Sequence, residues 1–100
     1  MIKHIVIWKL KEESGGRSKA EIAAALKEQL EALPVLIPEI RALEVGSNMK
    51  EGDFAGDIAL HAAFDSLEDL ARYAAHPEHV KVGTFLKEVV LERRVVDFET

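Results

Sequence analysis

Apolar residues crowd the amino-terminal segment, and their spacing there is that of an extended chain. Ile2 to Leu10 is rich in Ile, Val and Trp and is apolar on both of its faces. His4, Val6, Trp8 and Leu10 project one way, Ile5 and Ile7 the other, which predicts a strand covered on both sides. Glu12 to Arg17, with Gly15-Gly16, reads as a polar loop. The period then becomes helical. Ile22, Ala25, Leu26, Leu30 and Leu33 form one stripe, and Lys19, Lys27, Glu28 and Glu31 face away from it. Ser18-Lys19-Ala20-Glu21 is a capping box, so the helix starts after Ser18 and runs to about Leu33, where Pro34 closes it.

Val35 to Pro38 is a short apolar turn, and Ile40 to Met49 returns to strand-like alternation. Asn48 to Gly56 holds glycines, acids and an asparagine and connects to a third strand, Asp57 to Phe64. In it Ile58, Leu60, Ala62 and Phe64 oppose Ala59, His61 and Ala63. A second helix begins at Asp65 or Ser66, with Leu67, Leu70, Ala71 and Ala74 inside. Pro77 interrupts it: proline sets φ near −65° and excludes the helical conformation before it, so one segment ends at Ala75 and another starts at Pro77. That segment reaches about Lys87, with Val82, Phe85 and Leu86 apolar, and Val89 to Phe98 is the last strand. The order β-α-β-β-α-β predicts an α+β ferredoxin-like fold, a four-stranded antiparallel sheet with helices on one face, in a single domain over 1–100. Its other face is apolar too, and pairing of two copies, sheet against sheet, is the simplest cover.

Composition narrows the partners. A hydrophobic fraction of 48% suits a globular fold, and a net charge of −5 without a basic block argues against nucleic acid. The absence of cysteine removes disulfides and thiolate chemistry. The apolar run at the start is broken by Lys9 and is far short of a membrane span, so a cytoplasmic protein is expected.

The chemistry concentrates at the proline. Tyr73-Ala74-Ala75-His76-Pro77-Glu78-His79 holds the only tyrosine and two of the four histidines. His79 is the candidate general base, with the alternative that it locks the elbow by bonding a backbone carbonyl. Tyr73 is the candidate hydrogen-bond donor or a packed core ring. His4, a polar group in an apolar strand, needs a partner and should neighbour the elbow. His76 either joins the site or caps a helical segment. No metal-ligand spacing of real specificity is present, and no cofactor is expected. Glu44 and Asp97 are expected to pair with arginines on neighbouring strands, and His61 to be covered by a helix or lie at an edge. Gly15-Gly16 lacks the remainder of a phosphate loop.

Taken together, Lys3-His4-Ile5-Val6, Trp8-Lys9-Leu10-Lys11, Ile40 to Gly46 with Asn48, Asp57-Ile58-Ala59-Leu60, Tyr73, His76-Pro77-Glu78-His79 and Val95-Val96-Asp97-Phe98 resemble the stress-responsive dimeric α/β-barrel family. The resemblance implies two ferredoxin-like protomers whose sheets close into a shared barrel. One branch is a polyketide cyclase that forms a resorcylic acid by aldol condensation, and it matches its catalytic histidine and tyrosine to His79 and Tyr73. Its strand and first elbow histidines match His4 and His76. A further pocket histidine of that cyclase is replaced here by Asp57-Ile58. The expected role is therefore a cofactor-free lyase or cyclase acting on a carbonyl or polyketide-like small molecule. The alternative is a non-enzymatic stress-related or ligand-binding protein with a structural elbow.

Overall fold

The computed structural model describes residues 1–100. Strand β1, Ile2–Leu10, shows the alternation in its burial: Ile2, His4, Val6, Trp8 and Leu10 are buried, while the residues between them are half-buried or exposed. A small hairpin, β2 (Glu13–Ser14) and β3 (Arg17–Ser18), occupies what reads in sequence as plain loop. Gly15 and Gly16 at its tip have φ of 59° and 80°, the left-handed pair a two-residue hairpin turn demands.

Helix α1, Lys19–Glu31, opens on the capping box: Ser18 Oγ accepts from the Glu21 N–H at 3.2 Å, and Glu21 Oε1 accepts from the Ser18 N–H at 3.0 Å. The α-helix stops at Glu31, and Leu33–Val35 is a 3₁₀ turn around Pro34. Proline cannot donate the next helical hydrogen bond and crowds the residue before it, so the chain tightens before the expected boundary. Lys19 is half-buried rather than outward, and its Nζ reaches Glu12 at 2.8 Å and Asp57 at 3.4 Å.

Strand β4 covers only Ala42–Ser47, because Ile40 is held in a turn by the Ile37 carbonyl. Strand β5, Ile58–Phe64, leads through the Ser66 cap into α2, Leu67–Ala75, and then α3, Pro77–Val89, and β6, Val90–Glu99. The sheet order is β4-β5-β1-β6 with every neighbour antiparallel. This is the ferredoxin-like fold with a four-stranded antiparallel sheet and three helices.

Register separates the two sides of the sheet. His4, Val6 and Trp8 share the helix side with Ala62, Leu60 and Ile58 of β5, and there Ile22, Leu26, Leu30 and Phe64 complete the core. Ile5 and Ile7 lie on the other side with Ala59, His61, Val96 and Phe98, and no element covers them. Ile7, Val96 and Phe98 keep 44%, 58% and 42% of their surface, high values for large apolar side chains sharing one face. On the helix side, α3 packs against α1 and α2 more than against the sheet. Edge strand β6 is exposed along nearly its whole length.

Candidate active site

Where α3 stands off the sheet, a cavity of about 350 Å³ opens beside β1 and β6. That volume lies at the lower end of small-molecule sites. His4, Tyr73 and His79 all line it, so three of the four residues singled out in sequence come together. β1 supplies His4 from its first half, α2 supplies Tyr73 from its last turn, and α3 supplies His79 from its first. The proline break makes this possible. On a straight helix, residues six apart do not share a face, and the bend at Pro77 brings the Tyr73 and His79 ring centroids to 4.5 Å. The Tyr73 ring also sits 6.0 Å from His4 and 5.0 Å from Phe64.

Each histidine of the site has one ring nitrogen engaged. His79 Nδ1–H donates to the Ala74 carbonyl at 3.0 Å, which leaves Nε2 as the unprotonated nitrogen of the neutral ring. Burial lowers the His79 pKa. The Ala74 bond opposes that shift, and the charges of His4 and Arg93 add to it. At neutral pH the ring is therefore a free base. Burial also pushes the Tyr73 phenol up to about 12, with Arg93 acting weakly against it, so the hydroxyl remains a donor. It makes no hydrogen bond within the protein.

His4 Nδ1–H donates to Asp97 Oδ1 at 2.5 Å. The two are direct cross-strand partners in the β1–β6 register. Asp97 thus holds the His4 ring in one tautomer with Nε2 free, and does not pair with an arginine as its sequence surroundings suggest. Only the pairing of the first and last strands discloses this.

His76 is not part of the cavity wall. Pro77 has no N–H, so Glu78 carries the first free donor of α3, and His76 Nδ1 accepts it at 3.1 Å with an extended backbone at φ −64° and ψ 136°. The residue is an N-cap, so of its two readings in sequence, joining the site or capping a helical segment, the geometry shows the cap. Glu44 pairs with His61 at 3.2 Å rather than with an arginine, and His61 lies on the open sheet face rather than under a helix or at an edge. Asp57 has a role its loop position does not advertise: its Oδ2 accepts from the Leu10 N–H at 2.7 Å and secures the end of β1. Nowhere do three His, Asp or Glu side chains converge as a metal set would require.

An α+β sandwich of this topology, with a histidine-lined cavity under a proline-broken helix, defines a recognisable class of small domain. The chain belongs to the stress responsive A/B barrel domain family, whose model matches residues 2–100. A dimeric protein of unknown function and ferredoxin-like fold from Bacteroides fragilis is 43% identical, with a TM-score of 0.89 over 99% of this chain and 95% of that one. An uncharacterized protein of Streptomyces coelicolor is 34% identical over 79 residues, 79% of each chain. A stress-response A/B barrel domain-containing protein of Arabidopsis thaliana is 34% identical over 91 residues, 91% of this chain but 32% of that protein.

Proposed function

We propose that the chain is a cofactor-free acid–base catalyst acting on a carbonyl-containing small molecule of polyketide-like character, and that it works as a homodimer. The observation that carries the reading is the pairing of a neutral imidazole with a free Nε2 and an unbonded phenol in one cavity, their rings 4.5 Å apart. His79 Nε2 takes a proton from the carbon next to a carbonyl. The Tyr73 hydroxyl donates to the enolate oxygen as charge builds there. The enolate carbon then adds to a second carbonyl of the same molecule, and the new alkoxide collects its proton from the His79 imidazolium. His4, steadied by Asp97, offers a second oriented nitrogen to the substrate.

The dimer rests on the open sheet face. Ile5, Ile7, Val96 and Phe98 form an apolar surface on one side of paired strands, and the Bacteroides fragilis relative is described as dimeric. Light scattering coupled to size exclusion should return about twice the chain mass of 11.1 kDa. A mass of one chain would refute the pairing.

A thermal-shift screen of acyl-CoA, polyketide-like and phenolic compounds supplies the substrate for the catalytic test. His79→Gln should then lower turnover by about 10² to 10⁴, the usual worth of a general base, with melting behaviour nearly unchanged. Tyr73→Phe should cost less, since it removes one donor and keeps the ring. One observation favours a second reading: the His79 bond to Ala74 also fastens the elbow. If His79→Gln melts early and leaves turnover intact, the residue is a structural lock and the cavity only binds.

A further inference from the structure

Gly83 is the one glycine inside a helix, at the middle of α3, Pro77–Val89. After proline, glycine is the least favourable residue there, because it gives up the most backbone freedom on folding. Close packing does not explain it. A Cβ added at Gly56 would collide with Ile7, whereas one added at Gly83 would meet no heavy atom within 4 Å. Backbone conformation does not explain it either, since only Gly15 and Gly16 have positive φ. The open space is the cavity: Gly83 is half-buried and belongs to its wall. His79 lies four residues before it and Leu86 three after, so the three share one stripe of α3, and all line the cavity. Each Cα–Cβ bond of a helix tilts toward the N-terminus, so any side chain at position 83 would lean toward His79. Glycine leaves bare backbone beside that imidazole instead.

We propose that Gly83 is the specificity-determining position of the cavity, and that the ligand it admits is a flat carbonyl compound with two fused rings. A helix without a Cβ at this point gives one smooth wall, and Val6, Val82 and Leu86 offer apolar surface to ring carbons. A molecule whose reacting carbon meets His79 brings its rings against Gly83, about one helical turn of 5.4 Å further along the wall. The cavity of about 350 Å³ holds the second ring only while position 83 carries no side chain. The glycine costs the helix stability and gives the cavity width, so the ligand, not the fold, accounts for it. Placing the reacting carbon at His79 rests on the acid–base reading; the width limit does not.

Two neutral methyl ketones test the limit: 4-hydroxyacetophenone with one ring and 6-acetyl-2-naphthol with two. Titrated into the full ¹⁵N-labelled chain, the two-ring ketone should bind about tenfold tighter, because the second ring buries more apolar surface. Gly83→Leu should erase this preference, weakening the two-ring ketone at least about tenfold and leaving the one-ring ketone within about threefold. Gly83→Ala should narrow the preference while raising the melting temperature by about 4 to 8 °C, the gain of alanine over glycine inside a helix. That opposition of stability and binding keeps the test decisive even if Gly83→Leu fails to fold. Val80→Leu, on the exposed side of the same helix, should alter neither affinity. No saturable binding of either ketone, a preference that survives Gly83→Leu, a preference lost equally in Val80→Leu, or a lower melting temperature for Gly83→Ala would each overturn the proposal. Deuterium uptake at the acetyl methyl in D₂O reports proton transfer to His79 separately. A ring preference that depends on Gly83, with no such uptake, would sink the acid–base reading and leave the width limit standing.

Discussion

Two histidine–carboxylate pairs bridge neighbouring strands of this sheet, one on each face. His4 and Asp97 join β1 to β6 on the helix side at 2.5 Å, and His61 and Glu44 join β5 to β4 on the open side at 3.2 Å. As cross-strand pairs they are alike. Their surroundings are not: side-chain exposures are 9% and 36% for the first, 40% and 80% for the second. Water screens the open pair and competes for both of its partners, so it contributes little. In the covered pair the carboxylate has a ring to orient and a cavity for that ring to address. Chemical identity does not make a site; the layer that roofs one face of the sheet does.

The largest test of this contrast compares the faces themselves. Leu60, 1% exposed on the helix side, should not tolerate a charge: Leu60→Asp combines a core truncation worth about 2 to 5 kcal/mol with an unpaired buried carboxylate. Circular dichroism should show most of the fold gone, since a domain holds only about 5 to 15 kcal/mol. Ile7→Asp on the open face should keep the spectrum and shift the mass from two chains to one. If Ile7→Asp unfolds the protein as thoroughly as Leu60→Asp, the open face is not an association surface.

A smaller effect separates the two pairs. Asp97→Asn removes the charge that holds the His4 tautomer, and turnover should fall about tenfold to a hundredfold, the equivalent of one charge-assisted hydrogen bond. Glu44→Gln should leave turnover unchanged and stability within about 0.5 kcal/mol. Equal behaviour of the two variants in a kinetic assay would erase the functional difference between the faces.

The pH response sharpens it further. The His79 pKa is lower folded than the ordinary 6.5, so below 6.5 the unfolded chain binds more protons than the folded one. The stability owed to a neutral buried His79 is therefore present above 6.5 and declines as pH falls toward the depressed value. The acid limb of a pH–rate profile should bend below 6.5 for the same reason. At the alkaline end the Tyr73 phenol, at about 12 folded and 10 unfolded, makes stability decline as pH rises from 10 to 12. Urea midpoints measured across both ranges check the two signs. An acid limb centred above 6.5 would contradict the burial of His79.

The smallest effect belongs to the elbow. Pro77→Ala restores an N–H at the first helical position and deletes no core volume, so it should cost under about 1 kcal/mol. A loss above about 3 kcal/mol would mean that the proline does more than end one helix and begin another.

Much of this molecule is legible in its sequence, for physical reasons that are local. Ser18 and Glu21 mark a helix start because orphan N–H groups need nearby acceptors, and Pro77 marks a break because its ring forbids continuation. Alternation in β1 separates His4, Val6 and Trp8 from Ile5 and Ile7, and the grouping of Tyr73 with His79 follows from the break between them. Which side of β1 would be roofed is not local. Both sides are apolar, and only the packing of α1, α2 and α3 over one of them decided it. The same holds for Asp97, ninety-three residues from His4 along the chain and beside it across the sheet. His76 and His79 show the limit most sharply. They are identical side chains three residues apart, yet the missing N–H of Pro77 turns the first toward Glu78 as a cap while the bend sends the second into the cavity. Spacing predicts which residues are near one another, but the direction of each donor and acceptor is settled only when the helices close over the sheet.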